Sequence, residues 1–333
     1  MNPLHRIFGF KRAAALLAAS LVFVGISQAG AVRIGRFAGE FLDMGAGARA
    51  LAMGGTGVAL PSEATSGYHN PARLGRIERN SAEFMHASYF DNTYSYDYLG
   101  LAKPLGDKAG LGATILYARV GDIPLTALQD ASRPLGDDNR VLVRDMTSDN
   151  ELALMVSAGT RGPWGWSWGG SAKLLYKGVA GKSAYGIGFD LALAREFGRH
   201  VAVGLALRDV TGSALAWTTG RTEIIAPSVI AGGAWSAELP SLRADLRIMA
   251  DFRGRFESRG EAEVIHAGAL SVEPRFGAEY LISKVLALRG GLMGENITAG
   301  AGLSVSSVTL DYAFQPHEEL GNTHRVSLGL SWK

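Results

Sequence analysis

Apolar and small or polar residues alternate along most of the chain. Tyr185, Ile187, Phe189, Leu191 and Leu193 alternate with Gly186, Gly188, Asp190, Ala192 and Ala194. Val201, Val203, Leu205 and Leu207 then alternate with Ala202, Gly204, Ala206 and Arg208. Side chains on a strand point to opposite faces with period two, so each segment builds one greasy wall and one small or polar wall. Such segments recur near 82–90, 94–103, 109–119, 151–161, 165–177, 184–195, 200–210, 225–236, 241–253, 270–283, 285–293, 296–304, 307–314 and 324–332. The pattern predicts an all-β fold, a transmembrane antiparallel β-barrel of about 14 strands. The count carries a margin of two, because 254–271 reads either as a long loop or as further strand.

Two stretches break the alternation. Residues 37–74 are rich in Gly and Ala, with helix-like spacing around 46–53. Residues 121–150 are polar and hold Pro124, Pro134, Gly136, Asp137 and Asp138. The latter is too long for a tight turn and reads as an extracellular loop with room for a short helix.

A soluble β-sandwich also buries one face of each strand, so the competing architectures need separating. In 242–253, Leu242, Leu246, Ile248 and Phe252 share one face, while Arg243, Asp245, Arg247, Asp251 and Arg253 share the other. That mixed-sign face suits a hydrated lumen with cross-strand ion pairs. Nearly every strand carries a full apolar face, which a sandwich does not require. Trp164, Trp166 and Trp168 open one strand and Trp332 closes the last, as expected of an aromatic girdle at the membrane–water boundary. Val326, Leu328, Leu330 and Trp332 alternate with Arg325, Ser327, Gly329 and Ser331, an amphipathic final strand with a near-terminal aromatic. The barrel is the better reading.

Composition narrows the partners. The formal charge of the 333-residue chain is +2 with no Lys/Arg run, so nothing points to nucleic acid. With 44 glycines, many opposite bulky positions, the inner wall is thin and can curve. The absence of cysteine excludes disulfides, thiolate catalysis and a lipoprotein anchor. Arg6, Lys11 and Arg12 precede the apolar run 13–26, followed by Ser27-Gln28-Ala29 and Ala29-Gly30-Ala31. About 14 apolar residues are short of the roughly 20 that span a bilayer. Residues 1–31 therefore read as a cleaved export signal, which directs the chain to a bacterial outer membrane and its lipid.

Candidate chemistry is sparse. The run Met44 to Gly55 lacks the strand before it and the Gly-Lys-Ser/Thr close of a nucleotide loop, so its glycines read as close-packing residues. His317, Glu318, Glu319 and His324 sit in and after a turn without metal-ligand spacing, and no nucleophile elbow occurs. No catalytic residue, metal site or cofactor is expected, and a lipase-like activity is disfavoured. Asn70-Pro71 is a turn opener before the first strand.

The stretch Phe41-Leu42-Asp43-Met44-Gly45, then Met53-Gly54-Gly55-Thr56-Gly57-Val58-Ala59, Glu63-Ala64-Thr65 and Asn70-Pro71-Ala72-Arg73-Leu74, resembles the N-terminal signature of the PorV/PorQ family, itself related to FadL-type fatty acid transporters. The stretch Asp311-Tyr312-Ala313-Phe314 with Gly321 to Leu328 resembles that family's ending. Arg73 departs from the pattern, where many relatives carry Gly. The resemblance implies three parts: signal 1–31, an N-terminal plug or hatch 32–80 inside the barrel, and barrel 81–333. Gly45, Gly47, Gly54, Gly55, Asn70, Pro71 and Ala72 are then structural plug residues. It also implies a non-enzymatic accessory of type IX protein secretion, partnered by the secretion pore and its cargo proteins, with loops near 121–150 and 254–270 carrying recognition. The alternative is a FadL-like channel for long-chain fatty acids or other hydrophobic small molecules, with Phe37, Phe41, Leu42, Leu51 and Met53 lining a greasy pocket.

Overall fold

A computed structural model of the chain describes residues 32–34, 38–90, 92–256, 265–317 and 321–333. The expected signal 1–31 and Phe37 lie outside the described residues. The strands, in chain order, are β1 (Val32–Ile34), β2 (Asn80–Tyr89), β3 (Tyr94–Leu105), β4 (Ala109–Leu128), β5 (Val141–Arg161), β6 (Trp166–Val179), β7 (Lys182–Phe197), β8 (Val201–Arg208) and β9 (Ser213–Trp217). They continue as β10 (Thr222–Ile225), β11 (Ser228–Leu239), β12 (Ala244–Arg255), β13 (Ile265–Ala267), β14 (Leu270–Ile282), β15 (Leu286–Met293), β16 (Asn296–Val305), β17 (Val308–Gln315) and β18 (Thr323–Trp332).

Fourteen of these form a closed antiparallel barrel; the short β1, β9, β10 and β13 are accessory. Closure is made by β18 on β2, from His324 opposite Ser88 to Trp332 opposite Asn80. A ring has no free edge, which satisfies every ladder donor and acceptor without water. The alternating apolar residues, among them Tyr185, Leu191, Leu207, Ile248, Phe276 and Leu328, are exposed on the outer face. Gly, Ala, Ser and charged residues turn inward. That apolar jacket on a closed barrel is what a bilayer requires.

The connections differ at the two ends. At one end the turns 106–108, 162–165, 198–200, 240–243, 283–285 and 306–307 are all short, and the C-terminus lies with them. The long connections 129–140 and 209–227 lie at the other, as do the strand ends that flank 256–269 and 316–322. Short turns mark the periplasmic end of such barrels and long loops the extracellular end.

The stretch 121–150 is not a loop with a helix. β4 and β5 stay paired from Ala109 opposite Thr160 out to Leu128 opposite Val141, with register shifts after Val120 and Leu125. Val120 is the last β4 residue paired with β3, and Asp149 the last β5 residue paired with β6. Above them the two strands continue as a ribbon, which leaves Leu125, Val141, Val143 and Met146 exposed. Pro124 fits because the outer edge of a two-stranded ribbon needs no ladder donor.

Residues 38–79 run through the ring. They form a 3-10 turn at Glu40–Asp43, helix α1 (Ala48–Ala52), helix α2 (Ser66–His69) and a second 3-10 turn at Pro71–Arg76. Inward glycines mark where this segment's backbone meets the wall. A Cβ at Gly110 would fall on the Leu74 carbonyl, at Gly159 on that of Pro71, and at Gly204 on that of Val58. At Gly277, Gly291 and Gly300 it would meet Met53, Gly54 and Ala52. These glycines come from β4, β5, β8, β14, β15 and β16, so the segment is enclosed from all sides.

Candidate functional site

The inner wall is not uniform. Along β2 to β6 its upper half carries Met85, Ala87, Tyr89, Tyr96, Tyr98, Leu116, Ala118, Ala153, Met155 and Leu175, all buried. From the internal segment Phe41, Leu42, Leu51 and Tyr68 pack against this arc in one apolar cluster. The Tyr68 hydroxyl donates to the Leu42 carbonyl oxygen at 2.7 Å, and the Tyr98 hydroxyl to that of Ala64 at 2.9 Å. Those bonds spend the two polar tips on backbone and leave the rings as apolar surface. Tyr68 and Tyr98 meet edge to face with centroids 6.4 Å apart.

Across the lumen, β12 to β18 present charge. Glu279 accepts from Arg49 Nε at 2.8 Å, Arg247 Nη1 at 2.6 Å and Arg289 Nε at 2.7 Å. Arg289 also reaches Asp311 at 2.7 Å. Asp43 pairs with Arg253 and, at 2.9 Å, with Arg255. Glu273 holds Arg275 at 2.6 Å. Asp251 Oδ2 accepts the backbone N–H groups of Gly57 at 2.8 Å and Val58 at 3.0 Å. Two of these partners, Asp43 and Arg49, belong to the internal segment, so this arc fastens the segment by charge. Burial pushes the Asp43 carboxyl up, but the guanidiniums of Arg253 and Arg255 prevail and hold it far below the ordinary carboxylate range. Of the charges read in the sequence as facing a hydrated lumen, Asp251 and Arg253 are buried against protein, Asp245 and Arg247 are half-buried and Arg243 is exposed.

The plug-motif residues occupy the seams. Gly45, Gly47, Gly54 and Gly55 all have positive φ. At Gly54 the requirement is double, since a Cβ would strike the Leu292 carbonyl oxygen. Its N–H donates to Thr298 Oγ1 at 2.9 Å. Asn70 Oδ1 accepts from Ala72 N at 3.0 Å, which opens the turn at Pro71. Asn70 Nδ2 donates to the carbonyls of Val58 at 2.7 Å and Leu193 at 3.0 Å, tying two parts of the segment to β7. Arg73 pairs with Glu196 at 2.7 Å.

The residues expected to line a greasy pocket are not all brought together. Phe41, Leu42 and Leu51 share the apolar cluster. Met53 packs elsewhere, with Ala59, Ala202, Ala234 and Met249. Of the tryptophans, Trp168 and Trp332 are exposed on the outer face, Trp166 is half-buried under Arg195, and Trp164 projects from the turn 163–165. All four lie at the periplasmic rim.

Sequence reading missed the aromatic inner wall and His69. Alternation put Tyr96 and Tyr98 on the face that elsewhere carries small residues, and that local inversion was the available signal. His69 is buried, its Nε2 donates to the Ala46 carbonyl at 2.8 Å, and its ring meets Tyr68 edge-on at 5.0 Å. Burial pulls its pKa down to about 3, so it stays neutral.

A polar cavity of about 240 Å³ opens at the periplasmic end, lined by Arg49, Glu83, Arg247, Glu279, Arg289 and Asp311 among others. Among the described residues no cluster of His, Asp and Glu is placed to hold a metal ion.

No protein-family model matches the chain, and no curated protein matches it in sequence. Solved structures do share its fold. The toluene transporter TodX of P. putida superposes with a TM-score of 0.61 at 12% identity, covering 86% of this chain and 99% of that one. The CymD monoaromatic hydrocarbon channel gives 0.57 at 13% identity, with 86% and 98% covered. A Pseudomonas aeruginosa FadL homologue gives 0.51 at 11% identity, with 83% and 95% covered. The fold is therefore one shared with FadL-type outer-membrane barrels. The PorV/PorQ branch suggested by the end motifs has no counterpart among these structures.

Proposed function

We propose that the protein is an outer-membrane channel for hydrophobic small molecules, in which residues 38–79 act as a plug and solutes pass between that plug and the apolar arc. The observation that carries this reading is the arc itself. Barrels that conduct water and ions have polar interiors. Here Met85, Tyr96, Tyr98, Leu116, Met155 and Leu175 face inward and are buried against apolar plug residues. Hydrocarbon surface aimed into a lumen does nothing for a hydrated pore, and it supplies a low-cost lining for an apolar solute. The ion pairs of Asp43 and Arg49 hold the far side of the plug. Movement confined to the near side opens the greasy side without releasing the plug. The structural neighbours include a toluene transporter and a monoaromatic hydrocarbon channel, which supports the same class of cargo here.

The test is uptake of radiolabelled toluene by whole cells that lack their own hydrophobic-compound channels. Expression of the protein should raise the initial rate several-fold, and Leu116→Asp or Met155→Asp should remove the gain while the folded barrel is still inserted. A rate equal to that of cells carrying empty vector sinks the reading.

A second reading rests on the β4–β5 ribbon. It exposes Leu125, Leu135, Val141, Val143 and Met146 beyond the barrel rim. Exposed apolar surface of this kind fits a protein partner, as an accessory of type IX secretion requires. Co-purification of a secretion pore or surface cargo from gently solubilised membranes supports it, and its loss on deletion of 123–147 assigns it to the ribbon.

A further inference from the structure

The buried inward arginines fall into two groups. Arg49, Arg289, Arg253, Arg255 and Arg275 each have a carboxylate within ion-pair distance. Arg325 on β18 is only 3% exposed and has none among the described residues. Its Nη2 donates to Gln315 Oε1 at 2.8 Å and its Nε to the Tyr89 hydroxyl at 3.3 Å, both neutral acceptors. Among the described residues its Nη1 is buried without an acceptor. A buried guanidinium with no counter-charge among them is costly, and an anionic ligand would supply the missing partner.

Its surroundings say what kind of anion. Arg325 lies two residues inside the extracellular end of β18, at the outer margin of the apolar arc. The guanidinium sits over the Tyr89 ring at 5.1 Å. Tyr89 in turn meets Tyr94 edge to face at 5.6 Å and Phe90 at 6.0 Å. With the guanidinium face covered by a ring and Nε and one Nη2 N–H already donating, Nη1 and the second Nη2 N–H remain, a pair that a planar carboxylate can bridge. Beyond the carboxylate the neighbouring surface is aromatic, which suits an attached ring better than a flexible chain.

We infer that Arg325, with the rings of Tyr89 and Tyr94, forms an entry site that selects aromatic carboxylates. The site rests on the apolar passage proposed above, since it stands at that passage's outer end. It adds an anionic head to a cargo class otherwise represented by uncharged hydrocarbons. The plug and arc need not change for this selection. Arg325 supplies the counter-charge, and Tyr89 and Tyr94 supply the ring contacts.

The experiment is calorimetric titration of the purified full-length barrel in detergent with benzoate, benzyl alcohol and hexanoate, alongside toluene uptake in cells. Saturable benzoate binding, weakened at least tenfold in Arg325→Gln and partly restored in Arg325→Lys, with toluene uptake unchanged, is the expected result. Benzoate binding that is absent, or equal in wild type and Arg325→Gln, overturns the site. On the wild type alone, benzyl alcohol matching benzoate removes the role of charge, and hexanoate matching benzoate removes the role of the ring; either overturns it. Loss of toluene uptake in the wild type defeats the passage instead, and leaves benzoate binding to be judged by itself.

Discussion

The two halves of the inner wall face the same plug and hold it by different physics. The upper β2–β6 arc offers mainly rings and aliphatic side chains, with Lys173 paired to Asp190 and Asp209 at its β6 margin. Apart from the Tyr98–Ala64 hydrogen bond, its hold on Phe41, Leu42, Leu51 and Tyr68 is by apolar contact. The β12–β18 arc offers Glu279, Asp251 and paired arginines at fixed distances. Apolar contacts can be exchanged for contacts with an apolar solute at little net cost. A buried ion pair cannot be exchanged so easily, because separating it leaves uncompensated charge. A barrel built this way has a fixed side and a yielding side. Met53 stays outside the apolar cluster: it packs with Ala202, Ala234 and Met249 of β8, β11 and β12, and against Gly277 of β14.

The largest expected effect comes from breaking the fixed side. Glu279→Ala leaves Arg49, Arg247 and Arg289 without their shared carboxylate. Removing one partner of such a buried network costs about 3–5 kcal/mol. The plug should loosen as a unit, read as protease cleavage within 38–79 and as ion conductance in planar bilayers. A silent barrel in both assays would mean that charge does not fasten the plug.

A smaller effect is expected on the yielding side. Leu116→Ala creates a cavity at a fully buried position, with a cost of about 2–5 kcal/mol spread over local packing. Its signature should be faster toluene uptake with no ion conductance. If conductance rises as it does in Glu279→Ala, the two arcs are not functionally distinct.

Acid should act on the plug between the arcs. His69 has its pKa pulled by burial from 6.5 to about 3, so the unseated plug binds a proton that the seated one refuses. Its contribution to seating is complete above about pH 6.5 and declines as pH falls toward 3. Asp43, held down by Arg253 and Arg255, contributes above its ordinary value of 3.8 and loses that contribution only below it. The protection of the plug amides, taken relative to their intrinsic exchange rates, should therefore fall between pH 6 and 4 in the wild type. His69→Gln should flatten the slope. An unchanged slope in that variant would remove His69 from the account.

The smallest effect belongs outside both arcs. His86 and Asp97 pair at 2.7 Å on the exposed outer face. Asp97→Asn should shift unfolding by less than about 1 kcal/mol and leave uptake intact. A larger loss of uptake would place part of the pathway on the outer wall.

Much of the molecule was legible in the chain. The alternation sets which residues face in, because a strand has only two faces, and it yields the fourteen-strand barrel directly. The glycines of 45–55 and the turn at Asn70 were readable as backbone requirements: Gly45, Gly47, Gly54 and Gly55 all adopt positive φ, Gly54 also meets the Leu292 carbonyl, and the Asn70 side chain accepts from Ala72 N. The ribbon at 121–148 was not legible: prolines and aspartates mimic a loop when a strand has no neighbour to constrain its outer edge. That Phe41, Leu42 and Leu51 pack in one apolar cluster follows from their apolar character, but the wall they meet was not readable, since Tyr96 and Tyr98 are distant from them in sequence.

What sequence determined by itself is thus the direction of each side chain. Only the tertiary structure decided what each meets. Glu279 lies 230 positions from Arg49, and Asp43 lies 210 from Arg253, separations that period two does not encode. The division into an apolar and a charged arc comes from ring closure: it brings β2 beside β18 and sets the two arcs on opposite sides of one plug.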